Sequence, residues 1–197
     1  MVKINLKEEI SLLVIVDVIN GFIYEGALAD ISIEKIIQPI KQIANAYIAH
    51  EQPIIAFIDC HDDNASEFAT YPPHCLRDTS ESKLVSDLEK IQDQMILIEK
   101  NSTNGFVTDE FLSFLNQFYF DSIVVTGCCT DICVLQFALA LKGFINEHNL
   151  NTRIIIPKNM VETFNSEQHQ QAYYNEISLQ LLSNAGIEIP NAIEIEV

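Results

Sequence analysis

The chain has 197 residues, enough for one domain with a substantial core and short for two. Its 28 acidic and 11 basic residues give a formal charge of −17, a surface that repels phosphate backbones and anionic lipid and so argues against nucleic-acid and membrane partners. No run reaches the ~20 apolar residues that span a bilayer. The N-terminal apolar run is broken by Asp17 and carries no small-residue cleavage site, so a cytoplasmic protein with five reduced cysteines is expected.

In chain order, residues 11–18 (SLLVIVDV) are a short, apolar, β-branched run: a buried strand. Between 33 and 49 apolar residues recur at helical spacing, among them Ile33, Ile36, Ile37, Ile40, Ile43, Ala44 and Tyr47. A second strand starts at Pro53 (PIIAFID), followed by a polar stretch with Pro72–Pro73 and a short helix over 83–90. Strands at 95–99, 122–126 and 152–156 alternate with helices at 108–118, 130–147 and 167–184, the last closed by Gly186. A final short strand begins near Glu188. Short strands that are apolar on both faces, separated by helices, predict one α/β domain over residues 1–197. It has three layers, α/β/α, around a central mainly parallel sheet.

In such sheets the ligand crevice lies beyond the carboxyl ends of the strands. Four strand ends carry reactive groups: Asp17, then Asp59 with His61, then Lys100, then the GCCTDIC segment. Cys133 falls in the first turn of the following helix, where unpaired N–H groups and the helix dipole lower a thiol's pKa. The same N–H groups, with that of Cys129, could stabilise an oxyanion. Cys129 and Cys133 are also one turn apart, as a redox pair would be, and Cys128 reads as a buried small hydrophobe. Asp59 and His61 share a strand face while Cys60 points away, which disfavours a Cys60–His61–His74–Cys75 zinc cluster. Asp59, His61 and His74, with Glu67 as a further candidate, form a mixed N/O set suited to a divalent metal such as Zn²⁺, Fe²⁺ or Mn²⁺.

The blocks VIVDVINGF, IDCHDDNASEFATYPPHC, IEKNSTNGF and TGCCTDICV resemble, in order and spacing, the motifs of the isochorismatase-like cysteine hydrolases, above all the nicotinamidase branch. The resemblance covers most of the chain and implies a parallel sheet flanked by helices. It implies Asp17 as general base, Lys100 as its charge partner and Cys133 as nucleophile. It places a cis peptide at Cys128–Cys129, aiming the Cys129 N–H into the oxyanion hole with that of Cys133. It implies Asp59, His61 and His74 as ligands of a metal, zinc in the first instance, with Glu67 where some members place a fourth. Phe22 and Tyr71 match aromatics that sandwich the substrate ring. The implied reaction is hydrolysis of a small amide, nicotinamide to nicotinate and ammonia, through a thioester on Cys133. The chain departs from the branch at Val18–Gly21, where a glutamine and a second acid are replaced, and at Tyr71, which stands for a common tryptophan. Another small amide, a carbamoyl compound or an enol ether is the alternative within the family. A thiol-redox or non-catalytic binding protein is the alternative outside it. The helices could support a homo-oligomer.

Overall fold

Strands and helices alternate along the computed structural model, which describes residues 2–196. In chain order they are β1 (Val2–Asn5), β2 (Ser11–Val16), the one-turn helix α1 (Asn20–Ile23), α2 (Ile37–Ala49), β3 (Ile54–Asp59) and the one-turn helix α3 (Ser86–Glu89). There follow β4 (Ile96–Lys100), α4 (Asp109–Leu115), β5 (Ser122–Cys128), α5 (Leu135–Glu147), β6 (Arg153–Ile155), β7 (Val161–Glu162), α6 (Gln171–Asn184) and β8 (Ile193–Glu196).

The main sheet has the order β4-β3-β2-β5-β6, every pairing parallel, with β7 added at the carboxyl end of β5. All of β2 is buried, as the unbroken apolar run SLLVIV requires of a strand covered on both faces. Its residues alternate between two cores. Leu12, Val14 and Val16 join Phe57, Phe111 and Phe137 under α4, α5 and α6. Leu13 and Ile15 join Ile40, Ile43 and Tyr47 of α2 on the other face. Each such side chain contributes roughly 1.5–3 kcal/mol on burial. The three-layer α/β/α arrangement is the one expected from the alternating pattern.

Several boundaries differ from expectation for identifiable reasons. The helical pattern at 33–49 opens as a 3₁₀ stretch, Ile31–Ile36, before α2. The helix expected from Thr130 opens as a π turn, Thr130–Val134, before α5. The last helix starts at Gln171, because Ser166 and His169 exchange backbone hydrogen bonds and close a turn of their own. Strand β1 was not expected: it pairs with β8 in a separate parallel two-stranded sheet, Val2 opposite Ile193. Glu188, expected to begin the last strand, makes an isolated bridge to Ile155 instead.

From β2 the chain steps outward to β3 and β4, then returns to the other side of β2 for β5 and β6. The switch point therefore lies between the carboxyl ends of β2 and β5. There the backbones approach so closely that a Cβ on Gly127 (φ +112°) would lie 2.0 Å from Val16 O, and only glycine fits. No helix among the described residues is long and apolar enough to cross a membrane.

Candidate active site

Reactive side chains gather at this switch point, where open α/β sheets place their ligand crevices. Asp17 follows β2 directly and is fully buried, with φ at +51°. That left-handed conformation costs on the order of 1–3 kcal/mol for a non-glycine residue and persists only where the surroundings enforce it. Asp59 and Lys100 end β3 and β4, and the ladder sets them side by side. Lys100 Nζ donates to Asp59 Oδ1 (2.7 Å) and to Ser102 O (3.0 Å), and lies 2.9 Å from Asp17 Oδ2. The contact with Asp17 is an ion pair rather than an aligned hydrogen bond, and neither Asp17 oxygen has a hydrogen-bond partner. A fully buried ammonium is tolerable only with such partners.

Cys133 is buried in the π turn, near enough to Asp17 to favour its ionised form. Burial, opposed by Lys100 and assisted by the charge of Asp59, pushes the Asp17 carboxyl up to about 7. Burial alone would depress Lys100, but the negative charges of Asp17, Cys133 and Asp59 hold the ammonium well above its usual range. Burial also drives the Cys133 thiol well above its ordinary value, against the pull of Lys100. The lowering expected from a helix N-terminus is thus outweighed. The turn is a π turn, and two buried carboxylates face the sulfur. Cys128 is buried too, and its thiol donates to Asp17 O at 3.1 Å. The Cys128–Cys129 peptide is cis. All five cysteines are free of disulfides.

Beside this group lie Asp59, His61, Glu67 and His74, with one potential ligand atom from each within 4.8 Å of the others. Nε2 of His61 and of His74 lie 3.0 and 3.2 Å from Asp59 Oδ2. Each Nδ1 faces an acceptor, Asn101 Oδ1 for His61 and Pro72 O for His74, both at 2.8 Å. With Nδ1 donating, both Nε2 atoms turn to the shared centre. Glu67 Oε1 accepts from Thr103 N (3.0 Å), while its Oε2 is buried without a hydrogen bond, 3.2 Å from His61 Nε2. Two imidazoles, two carboxylates and an orphaned oxygen fit a divalent cation of borderline character. Neither Cys60 nor Cys75 belongs to the set.

One small cavity of about 30 Å³ takes Cys133 from the first group and Asp59 and His74 from the second into its walls, with Phe22, Tyr71 and Cys129 beside them. The rings of Phe22 and Tyr71 flank His74, with centroids 5.8 and 6.1 Å away.

The family model described as the Isochorismatase domain matches residues 11–181. The chain belongs to the isochorismatase family. Nicotinamidase 1 of Arabidopsis thaliana is 29% identical, over 93% of this chain and 86% of that protein. The crystal structure of nicotinamidase PncA from Bacillus subtilis superposes with a TM-score of 0.78 at 24% identity, covering 92% of this chain and 99% of that one. Pyrazinamidase of Pyrococcus horikoshii, solved in complex with zinc, gives a TM-score of 0.76 at 22% identity, covering 91% and 98%.

The structure brings all the sequence-derived candidates together in this isochorismatase fold, and adds contacts that the sequence reading missed. Asp59 touches Lys100 as well as both histidines, so it joins the two halves of the site. Asn101, next to Lys100 in IEKNSTNGF, orients His61; its place in that block was the available signal. Thr103 and Ile132 also line the cavity, from the IEKNSTNGF and TGCCTDICV blocks, whereas Leu28 lines it without any sequence cue.

Proposed function

We propose that the protein is a metal-containing cysteine amidohydrolase that converts nicotinamide to nicotinate and ammonia. The observation that carries this reading is a cavity walled by Cys133, by Asp59 and His74 of the metal-ligand set and by the rings of Phe22 and Tyr71, with Lys100 and Asp17 linked to Asp59 behind it. The likeness to plant and bacterial nicotinamidases supports it.

In the resting site the thiol is protonated and Lys100 is charged between the two carboxylates. Asp17, with its pKa raised to about 7, is well placed to accept a proton near neutral pH. Burial holds the thiol in its protonated form, so a base is needed to activate it. Cys133 Sγ attacks the carboxamide carbon as Asp17 takes the thiol proton. The N–H groups of Cys129 and Cys133 stabilise the oxyanion. Asp17 then gives its proton to the amide nitrogen as the C–N bond breaks, ammonia leaves, and a thioester remains on Cys133. Asp17 next takes a proton from water, which attacks the thioester, and the released thiolate is reprotonated. Lys100 limits the cost of each negative charge as it develops. Phe22 and Tyr71 hold the ring between them. Asp59, His61, Glu67 and His74 would hold a divalent cation, whose Lewis acidity supplies a docking point for the ring nitrogen.

The test is ammonia release from nicotinamide by zinc-supplemented protein, run beside a panel of small amides and carbamoyl compounds. Release from nicotinamide is expected. Turnover of another amide but not of nicotinamide would reassign the substrate, and no turnover of any would remove the hydrolase reading.

A further inference from the structure

The small cavity adjoins a second one of about 580 Å³, and the two share Phe22, Leu28, Tyr71, Cys129 and Ile132 as common walls. The inner cavity, about 30 Å³, is too small for a whole pyridine carboxamide, so a bound ring would reach the shared walls and leave open the part of the outer space beyond them. Its remaining walls come from two loops, residues 27–31 and 164–166. They are apolar at Ala27, Ala29, Ile31 and Phe164 and polar at Asp30, Asn165 and Ser166. Both carboxylate oxygens of Asp30 are already engaged by backbone: Oδ1 accepts from Ser32 N (2.8 Å) and Oδ2 from Asn165 N (2.7 Å).

The second of these bonds ties the two loops together, and Gln171 Nε2 adds a bridge by donating to Ser32 Oγ (2.8 Å) and Thr163 O (2.6 Å). Phe164 is fixed more firmly still. Its ring stacks on His169 (centroids 3.9 Å apart, 12° between planes), which stacks on Tyr174 (3.8 Å, 12°). His169 Nδ1 lies 3.0 Å from Phe164 O, and Nε2 lies 2.8 Å from Asp131 Oδ2. Asp131 also accepts from Thr163 Oγ1, and it sits in the same π turn as Cys133. The wall formed by Phe164 is therefore anchored to the segment that carries the thiol. A preformed cavity of this kind binds without a large ordering cost.

We propose that the outer cavity is a second substrate subsite, which receives an apolar substituent on the ring of an aromatic carboxamide, and that Phe164 is its specificity-determining residue. This rests on the amidase reading above and extends it to the substrate class. With the carboxamide at Cys133 and the ring nitrogen toward the metal-ligand set, the ring edge opposite both is free to carry the substituent outward.

The experiment compares pyridine-3-carboxamide with its 5- and 6-propyl derivatives. Binding to zinc-supplemented Cys133→Ala protein is measured by calorimetry, and kcat/KM is measured on the wild type. At least one propyl compound should bind about tenfold or more tightly than the parent, the scale of apolar extension into a fitted pocket. In a Phe164→Ala background that preference should fall several-fold; Phe164→Leu serves if the alanine variant does not fold. Equal or weaker binding of both propyl compounds, or no binding of any of the three, overturns the subsite. A preference that survives both Phe164 substitutions overturns the role of Phe164. A binding preference without hydrolysis of any amide removes the amidase reading and leaves the subsite standing. Hydrolysis of nicotinamide without the preference does the reverse.

Discussion

Strands β2 and β5 carry a buried polar cluster at each end, and the two clusters are built on opposite principles. At the amino ends, Ser11 Oγ lies 2.7 Å from Tyr47 Oη and 2.8 Å from Ser122 Oγ, and Ser11 N donates to Gln52 Oε1 (2.9 Å). Its fully buried members are neutral and each has a partner; the charge that touches them, Glu9 Oε2 accepting from Ser122 Oγ (3.3 Å), stands at the part-exposed rim. At the carboxyl ends the cluster is charged, it starts from a residue in left-handed backbone, and Asp17 is held by an ion pair with Lys100 (2.9 Å) rather than by an aligned hydrogen bond. Burial is equal at both ends, so burial does not mark the site. What distinguishes the carboxyl end is polar capacity left open, which a purely structural network closes.

The contrast breaks most sharply at Cys133. Replacing it with Ala should lower amide turnover by about 10⁴-fold or more, while the urea midpoint hardly moves. Substantial residual turnover would place the nucleophile elsewhere. Lys100→Met should cost both stability and turnover. It strands two buried carboxylates, and breaking a buried pair of this kind costs about 3–5 kcal/mol in denaturant unfolding. An unchanged midpoint would mean that the carboxylates do not depend on Lys100. The next effect is one of pH. Asp17's folded pKa lies at about 7, above its ordinary value, and only its ionised form can accept the thiol proton. The log of kcat/KM should therefore fall with unit slope, about tenfold per pH unit, as pH drops below 7. A flat profile down to pH 5.5 would remove Asp17 as base. The smallest effect belongs to the amino end, where Tyr47→Phe should cost about 1 kcal/mol of stability and leave kcat/KM within twofold. A large loss of turnover there would erase the contrast between the two ends.

The same contrast governs how much could be read from the sequence. Strand β2 was legible because SLLVIV is apolar on both faces, and the Asp59–His61 pairing was legible because side chains two apart share a strand face. Asp17, Lys100 and Cys133 carried enough local motif to be singled out. Strands β1 and β8 were not legible: their pairing joins segments about 190 residues apart, and both are short and half polar. The bond between Lys100 and Asp59 depends on the β3–β4 register, which no local pattern records. The thiol's upward shift was hidden for a related reason. A helix terminus is visible in sequence, whereas the burial and the two carboxylates that outweigh it exist only once the sheet has formed.

Gly127 has a consequence for variation at this site. Saturation of positions 122–133 would leave column 127 blank among folded variants, since even alanine's methyl would meet Val16 O at 2.0 Å. The gap between the carboxyl ends of β2 and β5 is thus set by the lack of a side chain, and the groups those ends carry can be varied through their neighbours but not by widening that gap.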